Sequence, residues 1–185
     1  IDALGGFSGI VTDKSSIQFR MLNQSKGPAM WSPRAQCDRS KFTETWRHIL
    51  ENTDNLDLWQ DAVVSLLVDG QTVKGVKTKI GVEFEAKSVI LTNGTFLNGL
   101  MHIGRSQMEG GRIGENASYH ISDQLVNIGF KTGRLKTGTP VRIDGRTVDF
   151  SKLQEQKGDL ETKKFSYLPT VVSSLEQRSC WITYT

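Results

Sequence analysis

Cysteine is scarce in this sequence: Cys37 and Cys180 are the only two among 185 residues. Neither has a second thiol or a histidine at the spacing of a zinc or redox motif, which excludes a disulfide-stapled fold and sets a reduced compartment as the expectation. Histidine is scarce too, and His48, His102 and His120 form no ligand pattern, so no metal site is expected. No apolar run approaches the ~20 residues of a membrane span, and no basic segment leads into an apolar one as in a secretion signal. A cytoplasmic protein without a membrane partner is expected. Charge of one sign is also lacking, because a net +3 allows a polyanionic partner without demanding one.

What is present is ordinary globular usage, 37% hydrophobic and 23% charged, enough for one sizeable core. The chain opens on Ile1-Asp2-Ala3-Leu4-Gly5-Gly6, which reads as a helix end with its glycine stop, and closes on Cys180-Trp181-Ile182-Thr183-Tyr184-Thr185, which alternates like a strand. Both ends read as cut, so an internal piece of a longer protein is expected. Residues 17–22 have strand character and 23–31 are turn-rich. Ser32 as N-cap and Pro33 at the first helical position predict a helix, with Phe42, Trp46, Ile49 and Leu50 on one face.

From residue 58 the period changes to two. Val63 to Val68, the turn Asp69-Gly70, Val73 to Thr78 and Val82 to Phe84 predict an antiparallel meander. The apolar run 88–92 predicts a strand buried on both faces in a larger, mainly parallel sheet. A second helix is expected over about 118–128, with Ile121, Leu125 and Ile128 inward and Gly129 as its stop. The polar segment 152–164 marks a domain change near Asp149. The fold class expected is α/β, with a meander attached and a second domain beginning.

Four segments carry chemistry. Arg34, placed near a helix start, suggests a bound phosphate, although a solvated charged face is the plainer reading. Thr92-Asn93-Gly94-Thr95 ends the expected buried strand, where ligands collect in open sheets; a glycine there is also common punctuation. Gly110 to Gly114, running toward Ser118 at a helix start, suits a phosphate or ribose oxygen, or is a surface loop. Residues 133–142 set Arg134, Lys136 and Arg142 among glycines and hydroxyls, which fits a nucleic-acid backbone, a cofactor phosphate, or a soluble strand edge. Cys180 has no visible partner base and reads as a small core residue.

The order and wording of four runs are distinctive: KGPAMWSPRAQCDR (26–39), LTNGTFLNGLMHIG (91–104), GGRIGE (110–115) and GRLKTGTPVRID (133–144). Together they resemble the signature blocks of the GidA/MnmG family over nearly the whole chain, most faintly over 151–178. The resemblance implies an FAD/NAD(P)-binding Rossmann-like domain fragment, with residues 1–148 its middle and 149–185 the start of an inserted α/β domain associated with NADH. It implies an enzyme that, with the GTPase MnmE, adds an aminomethyl or carboxymethylaminomethyl group to carbon 5 of the tRNA wobble uridine. NADH and methylenetetrahydrofolate serve that full-length enzyme, which is expected to be a homodimer meeting MnmE through a C-terminal region beyond this chain.

By the same resemblance Val63 and Ser118 are FAD contacts, and Thr92, Asn93, Gly94 and Thr95 close over the cofactor. Arg34, Arg112, Arg134, Lys136 and Arg142 form a basic surface that receives tRNA or a phosphate. The family's glycine-rich FAD fingerprint and its candidate catalytic cysteines match nothing in these residues, so no catalytic residue is assigned and the fragment alone is expected to be inactive. Cys180 lies in a block resembling CYITHT, with Tyr184 where histidine is usual. Two alternatives stand beside this reading: a relative of the folate- and FAD-dependent tRNA uracil methyltransferase, and a non-catalytic RNA-binding module.

Overall fold

The computed structural model describes residues 1–161, 163–169, 171 and 173–184. In chain order the elements are α1 (Ser8–Ser15), β1 (Ser16–Leu22), β2 (Ser32–Cys37), α2 (Arg39–Glu51), β3 (Val63–Asp69), β4 (Thr72–Thr78), β5 (Glu83–Glu85), β6 (Leu100–Ile103), β7 (Ser106–Glu109), α3 (Ile121–Asn127), β8 (Gln154–Gln156) and β9 (Cys180–Ile182). The architecture is mixed α/β with antiparallel sheets β1–β2, β3–β4–β5, β6–β7 and β8–β9. The chain divides into two units, residues 1–58 with 141–185, and residues 59–140.

In the first unit β1 is flanked on both edges. On one side it pairs with β2, Arg20 opposite Arg34 and Met21 opposite Pro33. On the other, Asp159 and Arg178 donate backbone N–H groups to the carbonyls of Phe19 (2.9 Å) and Ile17 (2.7 Å). The Asp159 carboxylate accepts from the Met21 N–H at 2.7 Å. Val11, Phe19 and Val171 are buried, and Phe165 meets Phe19 edge-on at 6.3 Å. The core also holds polar groups, among them Asp13 and Gln18. Asp13 accepts from the N–H groups of Phe165 and Ser166. Gln18, only 1% exposed, donates to the carbonyls of Gln156 and Arg178 and accepts from Arg34 and Cys180.

The helix expected from Ser32 begins later. Residues 32–37 are strand β2, where Pro33 is tolerated because β2 pairs only with β1 and is an edge strand. Asp38 is the true N-cap of α2, its carboxylate accepting from the Lys41 N–H at 2.8 Å. The expected inward face holds: Phe42, Trp46, Ile49 and Leu50 are half-buried and Thr45 is buried.

In the second unit the meander forms as expected, β3 and β4 turning at Gly70 and β5 adding to β4. Gly75 is required there, because a Cβ would stand 1.9 Å from the Phe84 carbonyl oxygen. Two expectations fail. Residues 88–92 form no strand, and Ile90 is 84% exposed, because none of the described residues supplies a neighbouring strand. Consequently the mainly parallel sheet is not built: the ladders are antiparallel, with one isolated parallel bridge between Leu97 and Ser118. The second helix is shorter than expected, α3 burying Ile121 and half-burying Leu125 while Ile128 is exposed. The hairpin β6–β7 was not among the expected elements, and the expected terminal strand forms as β9, with Thr185 outside the described residues.

Candidate functional site

The second unit gathers three segments that are distant in sequence. Val63 opens β3; residues 92–99 form a turn before β6; residues 110–118 form a loop before α3. The Ser118 hydroxyl donates to the Val63 carbonyl at 3.3 Å. The Ser118 N–H donates to the Phe96 carbonyl and its carbonyl accepts from the Asn98 N–H, both at 2.8 Å. Thr95 donates its hydroxyl to the Gly111 carbonyl at 2.7 Å. The Gly110 N–H reaches the Gly99 carbonyl at 3.0 Å. These bonds are nearly all to main chain, so the cluster is a backbone construction with hydroxyls at its rim.

Each expected site residue has a definite place. Val63, Asn93 and Ser118 are half-buried, whereas Thr92, Gly94 and Thr95 are exposed on the turn. Asn93 closes the turn by accepting from the Phe96 N–H at 3.0 Å. Val63, Ser118, Thr95 and the glycine loop are therefore brought together. Arg112 sits on that loop, paired with Glu115. Arg134 donates to the Asn98 carbonyl at 3.1 Å, which attaches the basic segment to the same turn. Lys136 follows it, exposed.

Arg34 and Arg142 belong to the first unit. The helix-terminus argument for Arg34 is corrected: it lies on β2, and its guanidinium donates to the buried Gln18 at 2.9 Å. An isolated cation on a strand has no helix dipole to oppose, so the inference of a phosphate from that position falls.

Three contributors escaped sequence reasoning. Gln124 on α3 forms a two-sided amide pair with Leu66, accepting from its N–H and donating to its carbonyl, each at 2.7 Å. It serves β3 as a neighbouring strand would. Its position one turn from Ile121, on the buried face, was the available signal. Phe96 lies against Gly111. Tyr119 donates to the Glu109 carboxylate at 2.7 Å, and this bond, followed by desolvation and the nearby negative charge, raises its phenol above the ordinary range.

Against known proteins the chain is similar from end to end. It is 57% identical to the tRNA uridine 5-carboxymethylaminomethyl modification enzyme MnmG of Flavobacterium johnsoniae and 58% identical to that of Parabacteroides distasonis, over the whole chain in both. It spans only 30% of the length of each of these relatives. The solved structure of Aquifex aeolicus GidA in its form II crystal superposes with a TM-score of 0.88 at 44% identity, covering 98% of this chain and 31% of that one. The family described as Glucose inhibited division protein A matches residues 1–185, and the chain belongs to it.

Proposed function

We propose that this chain is the middle of an FAD-dependent enzyme that modifies the wobble uridine of tRNA at carbon 5, and that the cluster in its second unit contacts the flavin dinucleotide. The observation that carries the reading is the end-to-end likeness to enzymes named for tRNA uridine 5-carboxymethylaminomethyl modification. That name disfavours the uracil methyltransferase alternative and a bare RNA-binding module.

The residues present fit a dinucleotide. A half-buried carbonyl and hydroxyl, those of Val63 and Ser118, stand 3.3 Å apart, and the carbonyl's second lone pair and the hydroxyl oxygen are left to accept from a base edge or ribose. Gly114 has nothing within 4 Å of where a Cβ would be, and Gly94 only the Phe96 ring at 3.9 Å, which leaves the main chain open to a close ligand. FAD, when bound, supplies the redox and one-carbon chemistry. The chain's own part is to bind and orient: Val63 and Ser118 hold one portion of the cofactor, and residues 92–95 close over it.

Arg112, Arg134 and Lys136, and separately Arg142, are proposed to meet tRNA phosphates, and their contribution should fall with salt. The full-length enzyme is proposed to use NADH and methylenetetrahydrofolate, to work as a cytoplasmic homodimer with the GTPase MnmE, and to divide at about residue 149 between its FAD domain and an inserted domain. No helix among the described residues is long and apolar enough to cross a membrane.

The test is mass spectrometry of tRNA nucleosides from cells lacking the full-length gene. Loss of the wobble aminomethyl-type uridines, restored by complementation, is expected. Their persistence with no second gene copy would overturn the assignment.

A further inference from the structure

We propose that Phe96 is a positioning residue of this cluster: its ring seats the main chain at Gly111, and its carbonyl fixes Ser118, so that one residue holds both ends of the glycine loop. The inference rests on the flavin-site reading above.

The contact at the start of the loop is direct. A Cβ built on Gly111 would lie 2.2, 2.5 and 2.7 Å from Cδ1, Cγ and Cε1 of Phe96. The ring therefore lies on the bare backbone, and any side chain at 111 would have to displace it. Thr95, the neighbouring residue, locks the same peptide through its hydroxyl at 2.7 Å from the Gly111 carbonyl oxygen. Gly99 repeats the arrangement on the other side of the turn, its absent Cβ leaving room for the Thr95 and Gly110 carbonyl oxygens, which would otherwise stand 2.6 and 2.7 Å away.

At the end of the loop, the Phe96 carbonyl accepts from the Ser118 N–H at 2.8 Å, and the return bond from Asn98 to the Ser118 carbonyl has the same length. Ser118 in turn reaches Val63. A tilt of the Phe96 ring thus moves the loop start, while the Phe96 main chain sets the height of the hydroxyl beside Val63. Sites of this kind lose function when the supporting shell shifts even though the contacting groups remain.

The experiment titrates FAD into deflavinated full-length protein carrying Phe96→Ala, Gly111→Ala or both, and records the melting of each apoprotein alongside. Each single variant is expected to raise the Kd for FAD roughly tenfold, the scale of a lost aromatic packing contact, while the apoprotein melting temperature stays near that of the parent. Because Gly111→Ala acts by colliding with the ring, it should cost less in the Phe96→Ala background than in the parent. Phe96→Leu, which keeps apolar bulk, should restore part of the affinity and replaces Phe96→Ala if that variant fails to fold. Unchanged FAD affinity in the variants, or strictly additive losses, would overturn the positioning role while leaving the flavin reading intact. A parent protein that binds no FAD at all would overturn both.

Discussion

Gln124 shows how one side chain substitutes for a missing strand. Leu66 is buried, and both of its main-chain groups are satisfied by the Gln124 amide at 2.7 Å. Replacing Gln124 by alanine strands the buried Leu66 N–H and leaves its carbonyl with only the Ser65 hydroxyl at 3.2 Å, and a group left unpaired costs about 1–3 kcal/mol. An unfolding free energy from urea denaturation lowered by that amount, seen as a lower midpoint with the slope unchanged, is the expected result. Tyr119 supplies a residue-scale prediction in pH. Its phenol is held protonated by the Glu109 carboxylate, so the folded value lies above the unfolded one. The contribution is fully present below the unfolded phenol's range near about pH 10 and is lost as pH rises through the higher folded value. Spectrophotometric titration should show Glu109→Gln moving the ionisation of Tyr119 downward, and a titration unaffected by that change would refute the coupling.

At the scale of elements, α2 tests what sequence reasoning reads well and what it misses. The inward face of this helix was legible from the spacing of Phe42, Trp46, Ile49 and Leu50, because periodicity is local. Its start was not, since Ser32-Pro33 is as good a helix opening as Asp38, and only pairing with β1 assigns residues 32–37 to a strand. Asp38→Ala should therefore lower stability by ~1 kcal/mol through the lost cap, whereas Ser32→Ala should change helix content little; circular dichroism with urea separates the two. The meander β3–β5 was legible for the same reason as the helix face, its strands being joined by short local turns. The run 88–92 was not, because a doubly buried strand depends on neighbours supplied from elsewhere. The site lies between these cases. Val63, Thr95 and Ser118 were named as candidates through the family resemblance, but the contacts joining them depend on Phe96 and on glycines at close approach, which no spacing rule reveals.

For the whole molecule, the decisive quantity is surface. The chain exposes 15110 Å², against roughly 8,900 Å² expected for a monomeric protein of its mass. Large apolar side chains stand in that surface: Ile90 is 84% exposed, Leu135 97% and Val141 83%. Short antiparallel sheets with open edges add unpaired main-chain groups to that surface. Exposed apolar patches of this extent drive association unless other protein covers them. The isolated 185-residue chain is therefore expected to self-associate with rising concentration in sedimentation velocity. Ile90→Lys discriminates between the two settings of the same residue. In the isolated chain it should reduce association at no cost to stability, because Ile90 has little to lose there. In the full-length protein, if residues 88–92 are covered, it should cost at least the ~1.5–3 kcal/mol of an isoleucine's burial. A clean monomer at high concentration would remove the premise, and an equal effect of the substitution in both settings would show that this run stays exposed in the longer protein.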